Sequence, residues 1–155
     1  MKEPEKDRYW LVARDKPGLL IAMMRALAGN GHVSFEGDLS RCAFPPDLGA
    51  GSIETPALRR QTLVPELDFV VLPLEPVSVQ RILDVVLPDR RFMNDINHIQ
   101  IERNGTLEFG AYDNFHPECI VCFLGVSPDL LEQLRESGVI RSWTTPHEGA
   151  QRWHG

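Results

Sequence analysis

Arg14-Asp15-Lys16-Pro17-Gly18-Leu19-Leu20 joins an apolar run, residues 9–13, to a stretch with helical periodicity. Pro17 has no backbone N–H to donate and presets its own φ, so it suits the first turn of a helix. Asp15 can cap that turn by accepting from the Gly18 amide. Gly18 leaves room for another group to approach the backbone. Leu20, Met23, Met24 and Leu27 then recur on one face, which predicts a helix over residues 17–28. Gly29-Asn30-Gly31 ends it, since Gly and Asn take the left-handed cap conformation readily. A strand feeding a helix through such a turn can also bind a small anionic or zwitterionic ligand at the helix N-terminus.

Outward from this unit, residues 32–44 read as a second strand, with Val33, Phe35 and Leu39 apolar and Gly37 marking a bulge. Residues 45–56 are rich in Pro, Gly, Ala and Ser and read as an exposed loop within one domain. The continuous apolar run 67–74 suits a buried third strand. Residues 77–87 form a second helix with Val79, Ile82, Leu83 and Val86 inward, stopped by Pro88. Residues 99–112 read as a hairpin. A two-residue Asn104-Gly105 loop places Ile101 opposite Glu108. A three-residue loop beginning at Arg103 pairs Ile101 with Leu107 and Ile99 with Phe109, and is preferred because it puts the apolar residues on one face. Residues 119–124 form a buried strand. Ser127-Pro128-Asp129 opens a third helix that Gly138 closes, and residues 139–143 form a last short strand. The order βαββα, ββ, βαβ belongs to an α+β sandwich: a mostly antiparallel sheet with helices on one face.

The strand at 9–13, the turn Asp15-Lys16-Pro17-Gly18, the apolar helix after it and the Gly31-His32-Val33-Ser34 entry to strand two resemble the ACT family of regulatory domains. The resemblance implies a ferredoxin-like βαββαβ unit over about residues 8–103, extended by a C-terminal hairpin, strand and helix to about 145. A polar tail, 146–155, follows within the same single domain. It also implies a small metabolite or amino acid as ligand, regulation of a partner protein and pairing as a homodimer. ACT effectors usually sit near the first strand–helix turn, so Asp15 and Gly18 are the positions carried over, with Lys16 between them. The loop at 45–56 is long for that family, and the chain continues past the family's expected end.

The bulk numbers fit one domain of 155 residues, 43% hydrophobic and 25% charged. A formal net charge of −6 argues against nucleic acid as a partner, because phosphate binders carry a basic face. No apolar run reaches the roughly 18 residues of a membrane span. Without a signal-peptide pattern and with three cysteines, the expected compartment is the cytoplasm.

Three clusters carry candidate chemistry. His116-Pro117-Glu118-Cys119-Ile120-Val121-Cys122 has a Cys-x-x-Cys pair, but in a strand positions i and i+3 face opposite ways. No metal or cofactor is expected, and the cysteines read as small hydrophobes. Tyr112-Asp113-Asn114-Phe115-His116 places an acid, an amide and an imidazole together. Asp113, Asn114 and His116 are therefore candidate ligand-binding residues, with His116 a general base if Asp113 or Glu118 orients it. The plainer alternative is an Asx turn. Glu36 and Asp38 share one strand face, where a solvated outer surface explains them. Trp153, in the tail, can dock on the body or on a partner.

The chain is thus expected to be a non-enzymatic, ACT-like small-molecule-binding or regulatory module. The alternatives are a protein-interaction module of inhibitor or immunity type, which an acidic surface suits, and a small enzyme using His116 and Asp113.

Overall fold

The computed structural model describes residues 8–91 and 95–144. Seven strands and three helices follow in the order β1 (Arg8–Ala13), α1 (Lys16–Leu27), β2 (Gly31–Gly37), β3 (Asp68–Leu74), α2 (Val79–Val86), β4 (Ile96–Arg103), β5 (Thr106–Ala111), β6 (Ile120–Phe123), α3 (Pro128–Glu136) and β7 (Ile140–Thr144). Asp15 caps α1 by accepting from the Gly18 amide at 3.0 Å, and Ser127 caps α3 from the Leu130 amide at 3.2 Å. Both helices carry a proline in their first turn. Gly138 leaves α3 at φ 81°, as the sequence predicts.

The strands form one sheet in the order β3-β2-β4-β5-β6-β1-β7, with every neighbouring pair antiparallel. The coarse expectation of an antiparallel α+β sandwich therefore holds. The βαββαβ unit expected over residues 8–103 is not closed on itself, because β5 and β6 lie between β4 and β1. The C-terminal strands complete the sheet and join its two halves.

Register sorts the side chains into two faces. Leu72, Val33, Ile101, Phe109, Cys122 and Tyr9 lie opposite one another in turn across six strands. All six are buried, in one core with Leu20, Met24 and Leu27 of α1, Ile82, Leu83 and Val86 of α2, and Leu131 and Leu134 of α3. All three helices therefore pack on this inner face. The stripes on α1 and α2 that the 3.6-residue period predicts are the buried ones.

The opposite row runs Val71, Ser34, Gln100, Gly110, Val121 and Trp10. It carries no helix, yet it too is buried, with Ser34 at 2% and Gln100 at 4% exposure. Residues 53–66, a strap between β2 and β3, contribute to this cover: Leu58 on the strap is fully buried against Phe69 and Val71, with Leu107 packed beside them.

Two expectations change here. Strand two stops at Gly37 and not at residue 44. A Cβ at Gly37 would lie 2.2 Å from the Asp95 carbonyl oxygen, so the start of β4 fills the space, and the register shifts between Glu36 and Gly37. The loop at 45–56 is only partly exposed: Leu48 joins the inner core, and Gly51 pairs with Val71 of the edge strand β3.

The hairpin is a further correction. Its turn is the two-residue Asn104-Gly105, with Arg103 opposite Thr106 and positive φ at both turn residues. That is the geometry an Asn-Gly pair favours. A bulge at Glu108 then restores the phase, so Ile101 meets Phe109 while Glu102 meets Leu107. Ile101 and Leu107 consequently lie on opposite faces. The buried Glu102 carboxylate holds the tight turn by accepting from the Gly105 amide at 2.6 Å.

Candidate functional site

β2 and β4 present alternating polar residues to the outer face: Ser34 and Glu36 on one, His98, Gln100 and Glu102 on the other. All five are buried. Buried polar groups are costly without partners; here Glu36, Gln100 and His98 hold the strap, while Glu102 pairs with His32 and the Gly105 amide. Glu36, 1% exposed, accepts from the backbone amides of Gln61 at 2.8 Å and Thr62 at 3.2 Å. Gln100 accepts from the Arg59 amide at 3.0 Å. The expectation of a solvated Glu36–Asp38 pair is therefore corrected. Only Asp38 is exposed, and its hydrogen bonds from Ser40 lower its pKa. The strand ends between the two carboxylates, at Gly37.

The second wall is the loop after β5. Asp113, Asn114 and Phe115 have φ of 51°, 55° and 59°, and His116 donates its amide to the Tyr112 carbonyl at 3.1 Å. This is one left-handed turn, a conformation that costs L-residues roughly 1–2 kcal/mol each. Surrounding bonds fix it. The Asp113 amide donates to His98 Nδ1 at 3.2 Å, the Asn114 amide to the Asn97 carbonyl at 2.7 Å, and Asn114 Nδ2 to the Ile96 carbonyl at 3.1 Å. Phe115 inserts into the inner core. The Asn114 side chain thus bridges to distant backbone.

Between strap and loop lies a cleft of about 660 Å³, within the range of small-molecule sites. Gln100, Leu107, Tyr112 and His98 come from the sheet side. Ala57, Arg59, Gln61 and Thr62 come from the strap, and Asp113, Glu118 and Cys119 from the loop. Tyr112 lies across Gly110, where a Cβ would meet the phenol oxygen at 2.5 Å. Gln100 Nε2 donates to that oxygen at 3.1 Å. Burial raises the Tyr112 pKa, against a smaller opposing effect of the Gln100 bond. The phenol keeps its proton and has it left to donate.

His98 Nδ1 receives an amide N–H, so it carries a lone pair. In the neutral ring Nε2 therefore holds the proton and donates to Thr62 Oγ1 at 2.9 Å. Both ring nitrogens are committed to joining strap and loop.

Cys119 Sγ lies 3.8 Å from Asp113 Oδ2 and 3.9 Å from His116 Nδ1. Burial, followed by the charge of Asp113, raises its thiol pKa, so it stays protonated. An activated nucleophile needs the reverse. Cys122 faces the inner core, away from Cys119, and burial pushes its thiol far up. Among the described residues no group of three His, Cys, Asp or Glu side chains is placed to hold a metal ion.

The sequence candidates separate. Asp113 lines the cleft, while His116 lies beside it at Cys119 and accepts from the Glu118 amide at 3.1 Å. Asp15, Lys16 and Gly18 do not line it. At Gly18 the close-approach space is filled by Asp15 itself, whose carboxylate lies 2.3 Å from the position of a Cβ. The two clusters nevertheless meet, because Lys16 Nζ donates to Asn114 Oδ1 at 2.8 Å.

His98, Gln100, Thr62 and Arg59 are residues that sequence reasoning missed. The readable signal was the alternation His98-Ile99-Gln100-Ile101-Glu102, which marks one strand face as polar. Nothing in that alternation says that a distant strap covers the polar face. No family model matches the chain, and no curated protein or solved structure matches it either.

Proposed function

We propose that this chain is a non-enzymatic small-molecule-binding module whose ligand occupies the cleft between the strap and the outer sheet face. The observation that carries this reading is the cleft itself. It combines apolar surface from Ala57 and Leu107 with polar groups from three separate segments, each held by part-buried hydrogen bonds. Preorganised polar groups around an apolar body are what a specific small-molecule site requires. Binding is favoured over catalysis by the protonated Cys119 thiol and by His98, whose two nitrogens are both engaged. In this reading the module reports occupancy to another protein. The left-handed turn is tied to the cleft by Asp113 and to α1 by the Lys16–Asn114 hydrogen bond.

The test is a thermal-shift screen of metabolites, amino acids included, against the full chain and an Ala57→Trp variant that fills the cleft from the strap side. A ligand should raise the Tm of the parent by mass action and leave the variant unmoved. Equal shifts in both proteins would place binding elsewhere.

A further inference from the structure

The charges and free hydrogen-bonding valences around the cleft narrow the ligand class, given that the cleft is the binding site. Its charged lining groups are Arg59, Asp113 and Glu118, with His98 neutral in the bonding pattern above. Arg59 holds Glu54 at 3.1 Å, so its charge is matched within the strap. Asp113 and Glu118 have no cation at ion-pairing distance among the described residues. Both act on one point: each helps to raise the Cys119 thiol pKa, after the larger effect of burial. The loop wall is therefore anionic, with both carboxylates exposed to solvent.

Tyr112, Thr62 and Gln100 offer the opposite polarity. Tyr112 Oη accepts from Gln100 and keeps its own O–H to donate. Thr62 Oγ1 receives the His98 Nε2 proton and likewise keeps its O–H. Gln100 uses its oxygen on the Arg59 amide and one Nε2 proton on Tyr112, leaving a second N–H in a side chain that is 4% exposed. The cleft thus carries hydroxyl and amide donors as well as two carboxylates, and Leu107 and Ala57 also line it.

From these lining groups we infer that the ligand is an organic amine, protonated at neutral pH, with an apolar body and an oxygen acceptor. The ammonium group meets Asp113 and Glu118 at the loop wall. The acceptor takes hydrogen bonds from Tyr112, Thr62 or Gln100. An anion of the same shape meets two carboxylates and is disfavoured.

The experiment uses three probes with one body and different charge: tyramine, tyrosol and 4-hydroxyphenylacetate. Each is titrated at millimolar concentrations into the isotopically labelled full chain, with amide shifts as readout. Tyramine should perturb the amides of residues 59–62, 98–100 and 112–119 and bind about threefold tighter than tyrosol, since an exposed ion pair contributes less than about 1 kcal/mol. The preference should vanish in the double variant Asp113→Asn, Glu118→Gln. Asn tolerates the left-handed conformation at position 113, and the amide spectrum of the variant reports its folding. If tyrosol or 4-hydroxyphenylacetate binds the same residues as tightly as tyramine, or if the tyramine preference survives the double variant, the amine assignment is wrong while the cleft remains the site. If no probe perturbs these residues, the amine assignment and the binding reading both fall.

Discussion

Replacing Glu36 with Gln should release the strap. The Glu36 carboxylate is 1% exposed and accepts from two backbone amides, those of Gln61 and Thr62. Hydrogen bonds to a charged group contribute about 1.5–3 kcal/mol each, and neutral ones about 0.5–1.5. A Gln side chain has one acceptor oxygen, so it keeps one of the two bonds in weaker form. Its NH2 group then faces the other amide, donor against donor. The expected loss is about 2–4 kcal/mol, as one charge-assisted bond disappears and the other weakens. In a chain of this size about 1 kcal/mol moves Tm by roughly 2–4 °C, so Tm should fall by about 5–15 °C. Urea denaturation measures the global change. Hydrogen exchange reports the local one, with the Gln61 and Thr62 amides losing more protection than Ile101 in the core. If those two amides keep their protection and the urea midpoint does not move, Glu36 does not hold the strap.

Other consequences follow from the same contacts. Leu27→Ala removes a side chain that is 1% exposed in the inner core and should cost about 2–5 kcal/mol by urea denaturation; an unchanged midpoint would remove Leu27 from that core. Iodoacetamide at pH 8 should leave Cys122 unmodified in the folded protein and label Cys119 more slowly than a free thiol, because burial raises both pKa values; labelling as fast as in urea would contradict that. Arg135, and after it the Trp143 indole, hold the Glu132 carboxyl below the usual glutamate range. That stabilisation is present above the unfolded pKa and is lost as pH falls through the lower folded value. Glu132→Gln should therefore lose stability at pH 7 and converge with the parent in acid, as pH-dependent melting curves would show.

The helices were legible because each carries its own punctuation. Asp15 and Pro17 open α1, Ser127 and Pro128 open α3, and the apolar period of 3.6 identifies the buried stripe. The strands were legible as apolar runs, but their partners were not. Nothing local to β1 says that it pairs with β6 and β7, since those contacts close over most of the chain. The hairpin register misled for a related reason. The alternation of Ile99, Ile101, Leu107 and Phe109 fits a longer loop, whereas the Asn-Gly turn preference and the Glu108 bulge together give another answer.

The site was half legible. Asp113 and His116 were visible as a polar loop after a strand, and Cys119 as a cysteine that does not face its neighbour Cys122. The strap was not legible, because it docks through its backbone amides onto Glu36 and Gln100. Amides are common to every residue, so residues 59–62 carry no side-chain signature of what they cover. The tail that contains Trp153 lies outside the described residues.

The most direct test of ligand binding in the cleft is an amide-shift map of the labelled full chain, recorded with the compound that most raises its Tm. Perturbations should cluster at residues 57–62 of the strap, at His98 and Gln100 of β4, and at 112–119, while α2 and α3 stay unmoved. A cluster centred on Asp15, Lys16 and Gly18, or on the helix layer with the strap unperturbed, would contradict the assignment and return the ligand to the first strand–helix turn.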